Sequence, residues 1–135
     1  MKIIHEPFYM LSKDDTRKIH NLVCYTLSPY LDRTNESDKK SFNVLYHQER
    51  RLSEKTLFNS LNLLKNVEKI IEDKIVDIRN EAIQIEDKND FTSIIVNPKD
   101  FAEHLVANYR DQLNAINEIR FILTTEIDSS DEDDD

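Results

Sequence analysis

The chain has 135 residues, with three prolines, one cysteine, no glycine and a formal net charge of −9. Glycine supplies the positive φ angles of tight hairpin turns and of phosphate-cradling loops. Its absence therefore argues against a β-rich fold and excludes the glycine-dependent nucleotide motifs. No apolar run approaches the roughly 20 residues of a membrane span, and the N-terminus lacks the apolar core of a signal peptide. With Cys24 as the single cysteine, we expect a nuclear or cytoplasmic protein without internal disulfides and without a membrane partner.

Acidic charge is concentrated at the C-terminus. Residues 126–135 contain seven acidic side chains and no basic one, which leaves 20 acidic and 18 basic side chains, a net charge of −2, in residues 1–125. Such an acidic run is typical of a solvated tail that binds a basic partner or keeps the chain soluble. We therefore predict a helical interaction domain over residues 1–125 and a disordered acidic tail over residues 126–135.

Two serines stand at the start of the most acidic part of this tail. Ser129 and Ser130 are each followed three residues later by an acidic side chain, Glu132 or Asp133. That spacing resembles the target pattern of acid-directed kinases such as casein kinase 2, and phosphorylation would deepen the negative charge. Ser129 and Ser130 are accordingly the predicted phosphorylation sites.

The N-terminal part of the chain predicts an arm followed by a helix. Residues 1–11 carry too many hydrophobic side chains for a free tail, so we predict an extended arm that either packs on the helices or docks a partner. Ser12, with Asp15 three residues on, has the pattern of a helix N-cap, and the helix is expected to end near Ser28 because Pro29 follows.

The next segment predicts a loop and a short helix. Residues 30–40 are polar and rich in turn-forming residues, which indicates a mobile loop, and Ser41 is the predicted cap of a short helix. The heptad phase of the following helix would place Arg50 and Glu54 on its apolar seam, which indicates a break or a change of partner near residues 51–53. Whether residues 41–86 form one helix or two stays open.

The strongest signal is a long helix over residues 57–85. Apolar side chains recur there at alternating steps of four and three, as in a coiled coil, with Glu68 as the single polar interruption. This seam consists of Leu57, Leu61, Leu64, Glu68, Ile71, Ile75, Ile78, Ala82 and Ile85. Glu68 either faces a basic partner or marks a point where the helices diverge.

A second long helix is predicted from Pro98 to about Glu126. Asn97 is a favourable N-cap and proline is favoured at the first helical position, while the β-branched run over residues 91–96 predicts a short extended segment before it. The seam of this helix, again with one polar interruption, reads Ala102, Leu105, Tyr109, Gln112, Ile116, Ile119 and Leu123. The two long helices are of similar length, and the connection between them is short. The pattern therefore predicts an all-α fold, an elongated antiparallel helical hairpin or coiled coil with a third, shorter N-terminal helix.

Nothing in the sequence identifies a reaction. His20 and Cys24 are four residues apart and could share a helical face, but two ligands do not make a zinc site, and Cys24 is more simply a small buried hydrophobe. We expect no metal, no cofactor and no enzymatic activity. The basic residues are few and stand beside acidic ones, so direct binding of nucleic acid is not expected.

The long helix carries more apolar side chains than one seam can hold. The candidates for a second, partner-binding edge lie off the seam and are Leu63, Val67, Ile70, Val76 and Ile83. This edge predicts a non-enzymatic interaction or scaffold subunit that binds protein subunits by helical packing, unless residues 1–28 cover the edge. One alternative is an acidic-tail binder, for instance a chaperone or inhibitor of basic proteins such as histones. The other alternative is a homo-oligomeric coiled coil with a structural or tethering role.

In general type, the sequence resembles the small helical subunits of eukaryotic nuclear assemblies, such as kinetochore, transcription-mediator and chromatin-complex subunits. The resemblance is carried by a coiled-coil body rich in Ile, Asn, Lys and Asp and by the serine-acidic tail. It implies membership of a multi-protein assembly and assigns no role to any residue.

Overall fold

A computed structural model describes residues 8–87 and 98–132, and side chains within residues 8–84 and 99–125. In chain order the elements are β1 (Phe8–Met10), α1 (Lys13–Thr26), a 3-10 helix (Ser28–Arg33), α2 (Glu36–Tyr46), β2 (Arg51–Ser53), α3 (Glu54–Asp87) and α4 (Pro98–Glu132). Helices make up most of the described chain, which confirms the predicted all-α class. Two long helices and a shorter N-terminal helix are present, and the short helix predicted from Ser41 is α2, a separate fourth α-helix that begins earlier, at Glu36.

Helix α1 begins where the sequence predicts. The Ser12 hydroxyl oxygen accepts a hydrogen bond of 3.1 Å from the backbone N–H of Asp15, so one of the unpaired donors of the first turn is satisfied. Ile19 and Val23 fall on the buried face of the helix. Cys24 is exposed rather than buried, because it lies one residue, about 100° of helical rotation, beyond Val23.

The segment predicted as a mobile loop is ordered helical structure. The 3-10 helix occupies its first part, and Tyr30 within it is buried. Asn35 then caps α2, because its side-chain oxygen accepts a hydrogen bond of 2.8 Å from the backbone N–H of Asp38. Ser41, the predicted cap, lies inside α2, and its hydroxyl donates to the carbonyl oxygen of Ser37. Residues 41–86 therefore contain parts of two helices.

A two-stranded antiparallel ribbon separates these two helices. β1 pairs with β2 in the register Phe8↔Ser53, Tyr9↔Leu52 and Met10↔Arg51, which confirms a break near residues 51–53. Leu11 extends the contact, because its N–H donates to the Arg50 carbonyl oxygen at 2.7 Å and its own carbonyl oxygen accepts from Arg50 Nε at 2.9 Å. The described part of the N-terminal arm is therefore packed on the chain.

Helices α3 and α4 pack along each other in opposite directions. Glu68 of α3 pairs with Arg120 late in α4, whereas Arg79, later in α3, pairs with Glu103 early in α4. The seam residues of α3 described by the structure are buried or half-buried. On α4, the predicted seam residues are likewise buried or half-buried, and Val106, Ala115 and Ile122 are buried in addition. Helix α4 therefore buries a wider face than one seam.

The wide buried face of α4 is explained by a second layer of helices. α1 lies against α4, α2 lies against α3, and α1 and α2 contact each other. The ion pair between Lys18 and Glu118 and the hydrogen bond between Tyr30 and Gln112 join this layer to α4. The central core therefore has four helices around it.

The C-terminal prediction is only partly met. The backbone of α4 is helical through Glu132, beyond the predicted end near Glu126, so a disordered tail over residues 126–135 is not confirmed. Residues 133–135 lie outside the described residues, as do the predicted extended run over residues 91–96 and the Asn97 cap.

Candidate protein-interaction face

The five predicted partner-binding residues do not form one surface. Leu63 and Val67 are fully buried in the core of this chain, Ile70 is half-buried, and Val76 and Ile83 are 54% and 47% exposed. Leu63 and Val67 are therefore corrected from partner-binding to core residues.

Helix α2 lies against α3 near Leu63 and Val67. Asn66, which lies between them in sequence, donates from Nδ2 to the carboxylate of Asp38 on α2 at 2.9 Å. Asp38 is itself 2% exposed, so the hydrogen bond joins two helices in a buried position. The sequence allows a cover by residues 1–28, but the helix that bonds to α3 beside Leu63 and Val67 is α2.

A line of side chains on α3 remains uncovered by the described residues. It runs at steps of four and three residues, about 100° around the helix from the seam. This line, which we call the α3 stripe, consists of Phe58, Asn62, Lys65, Lys69, Glu72, Val76, Arg79 and Ile83. All of its members are exposed except Arg79, which is half-buried, and Phe58 is 51% exposed. The stripe therefore has apolar side chains near both ends and charged side chains at its centre.

Sequence reasoning missed part of this exposed apolar surface. Phe58 on α3 is 51% exposed and Phe121 on α4 is 70% exposed, and neither is among the predicted partner-binding residues. The sequence signal for Phe121 is that it is a large apolar residue outside the predicted α4 seam, between the seam residues Ile119 and Leu123. An apolar side chain outside every buried line of a helix is a candidate contact residue.

The two polar interruptions of the seams have partners within the chain. Glu68 Oε2 accepts a hydrogen bond of 2.9 Å from Arg120 Nη2, so the basic partner considered for Glu68 is on α4. Gln112 Oε1 accepts from the Tyr30 hydroxyl at 2.6 Å, and burial raises the pKa of that phenol. Both interruptions are therefore structural.

Arg79 of the α3 stripe forms an ion pair with Glu103 of α4. Arg79 donates from Nε to Glu103 Oε1 at 3.0 Å and from Nη2 to Oε2 at 3.3 Å, a bidentate arrangement. The hydrogen bonds from Arg79 hold the pKa of the Glu103 carboxyl below its ordinary value, and the same bonds raise the pKa of Arg79.

A pH dependence follows from this pair. Because the pKa of Glu103 is lower in the folded than in the unfolded chain, its contribution to stability is complete above the unfolded pKa. That contribution is lost as pH falls through the folded value. We expect Arg79→Gln to raise the pKa of Glu103, measured by NMR titration of its carboxyl carbon. Lys18→Gln, which removes a separate surface pair, should leave that titration unchanged. Identical Glu103 titrations in the wild type and Arg79→Gln would contradict the assignment.

The His20 and Cys24 side chains do come together, as their spacing indicated. Cys24 Sγ lies 3.9 Å from His20 Nε2, and His20 Nδ1 lies 2.6 Å from the carbonyl oxygen of Tyr46. The short contact with a carbonyl acceptor places a proton on Nδ1, and the ring is thereby fixed between α1 and the end of α2. Within residues 8–87 and 98–132, no group of three or more His, Cys, Asp or Glu side chains is arranged to hold a metal ion.

The basic residues before α3 have structural contacts. The guanidinium carbon of Arg51 lies 3.9 Å from the centroid of the Phe8 ring, in cation–π geometry, and Arg50 bonds the Leu11 carbonyl. Both therefore fasten the N-terminal arm.

No protein-family model matches the sequence, and no curated protein and no solved structure matches it either. Among the described helices, none combines the length and the apolar character needed to cross a bilayer. The Ser129 and Ser130 side chains lie outside the described side chains, so their phosphorylation stays a prediction.

Proposed function

We propose that this chain is a non-enzymatic interaction subunit of a multi-protein assembly and that its α3 stripe binds a helix of a partner protein. In this proposal α3 and α4 form an antiparallel coiled-coil hairpin, and α1 and α2 fasten one side of it. The resemblance in type to small nuclear subunits favours a nuclear assembly.

One observation carries the proposal. Val76 and Ile83 are seven residues apart, two turns of the same helix face, and each keeps about half of its surface exposed. Apolar side chains at this spacing are the anchors by which a helix binds an apolar face of another helix. Lys69 and Glu72 beside them would add selectivity among partner helices through charge.

The test is affinity capture of the tagged full chain from its own cells, with the co-purifying proteins quantified. We expect co-purifying partner proteins whose recovery changes little with salt, since apolar contacts are not screened. Ile83→Asp should reduce their recovery at least about tenfold, because it places a charge in the apolar contact.

The matched control is Gln84→Asp. Gln84 is also exposed and is adjacent to Ile83, but it lies about 100° away around the helix, outside the stripe. Gln84→Asp should retain the partners, and both variants should keep wild-type helicity. Equal recovery with wild type and Ile83→Asp would contradict the proposal.

A second candidate function rests on the C-terminal charge, seven acidic side chains in residues 126–135. Here the tail would bind a basic protein, and phosphorylation of Ser129 and Ser130 would strengthen the attraction. A chain ending at Thr125, used in the same capture, separates the two functions. Partners that depend on the tail and dissociate as salt rises support the acidic-tail binder.

A further inference from the structure

We infer that the α3 stripe pairs in antiparallel orientation with the α3 stripe of a second copy of this chain. The two-fold axis of this dimer would pass midway between Lys69 and Glu72. The inference rests on the proposed function, because it names the partner helix of the same face.

The spacing of the stripe suits a two-fold contact. Its eight positions follow one another in steps of four, three, four, three, four, three and four, which read the same in both directions. A reversed copy of the helix therefore presents its side chains in the same positions. Around a two-fold axis residue i faces residue j and residue j faces residue i, so the two numbers of every facing pair have one sum.

The residue types at the facing positions are complementary. Lys69 faces Glu72 twice, once on each side of the axis, and Phe58 faces Ile83 twice at the ends. The two remaining pairs place the aliphatic stem of Lys65 over Val76 and the Asn62 amide opposite Arg79.

A parallel pair of stripes does not bring complementary residues together. In a parallel symmetric pair each residue faces its own copy, so Lys65, Lys69 and Glu72 would each meet a like charge. Like charges directly opposite each other are destabilising. The charge order along the stripe therefore favours the antiparallel pair.

The size of the contact sets the strength of the dimer. The stripe extends over about 38 Å at a rise of 1.5 Å per residue, and it is one helix wide. Such a contact belongs to the small, transient class of interfaces. We expect a reversible dimer whose population rises with protein concentration.

Sedimentation velocity of the full chain over a wide concentration range tests the inference. The wild type should shift from monomer to dimer. Lys69→Glu and Glu72→Lys should each weaken association at least about tenfold, because each change places two pairs of like charges in the contact. A chain carrying both changes should recover wild-type association.

Mixing the two single variants gives the sharpest result. Lys69→Glu supplies two acidic positions and Glu72→Lys two basic ones, so an equimolar mixture should form a heterodimer although neither variant dimerises well alone. Labelling one variant with ¹⁵N makes the heterodimer visible by native mass spectrometry. Glu81→Lys, the same charge change at an exposed position on the opposite side of α3, is the control and should dimerise like the wild type.

A chain that stays monomeric at all concentrations, or a dimer unaffected by Lys69→Glu and Glu72→Lys, would overturn the inference. The proposed function fails separately, if Ile83→Asp keeps its partner proteins. A monomeric chain that loses partners through Ile83→Asp overturns the dimer alone.

Discussion

Val67→Asp is expected to prevent folding, whereas Val76→Asp should leave the protein folded. The two valines lie on the same helix, nine residues apart, so the substitutions are chemically identical. Val67 is fully buried and Val76 is 54% exposed. A buried, unpaired carboxylate costs several kcal/mol, a large part of a total stability of about 5–15 kcal/mol. At an exposed helix position the same change stays within about 0.5 kcal/mol, since valine and aspartate have similar helix propensities.

Far-UV circular dichroism and urea unfolding measure this difference. The pair of variants also separates core from contact residues, because Val76→Asp should lose partner binding while keeping its unfolding midpoint. A folded Val67→Asp with a near-wild-type midpoint would show that Val67 is not a core residue.

Glu68→Leu and Arg120→Leu are each expected to destabilise the protein by about 1–3 kcal/mol, because each leaves a partly buried charge without its partner. The side chains of Glu68 and Arg120 are 26% and 33% exposed. Glu68 interrupts the apolar seam of α3, and Arg120 lies beside the seam of α4. The double variant should recover most or all of the loss, since no partly buried charge is left unpaired and leucine at position 68 continues the α3 seam. Urea unfolding of the four proteins gives the coupling free energy.

The surface pair between Lys18 and Glu118 is the comparison for this cycle. Its 2.6 Å contact is shorter than the one at the seam, but its side chains are 54% and 43% exposed. Solvent screens such a pair, so its two leucine variants should show a much smaller coupling. Additive losses at Glu68 and Arg120 would mean that the two charges do not depend on each other.

Much of this fold follows from local pattern. Ser12 caps α1, the chain breaks at residues 51–53, and the α3 seam is buried or half-buried along its described length, all as the sequence predicts. These features depend on residues close in sequence, on helical periodicity and capping. The segment over residues 30–40 does not, because Tyr30 and Asp38 find their partners on α4 and α3. A polar composition predicts a loop unless such long-range contacts are known.

The same limit applies to the interaction face. Apolar periodicity showed that α3 has more than one apolar side, but it could not show which side this chain covers itself. Leu63 and Ile83 lie about 160° apart around α3, on opposite sides of its seam, and of the two only Leu63 is buried by this chain. Whether a side chain is accessible to a partner protein is therefore decided by tertiary packing.

The order of α3 and α4 along the chain has a consequence for synthesis. Because α4 follows α3 and packs against both α1 and α3, neither α1 nor α3 can bury its full apolar surface until α4 has left the ribosome. At about 5–20 residues per second, translation from the end of α3 to the end of α4 takes roughly 2–10 s. During that interval the nascent chain exposes the seam of α3 to solvent. We therefore expect nascent chains that end shortly after residue 87 to be bound by ribosome-associated chaperones, and chains that include α4 to be released from them.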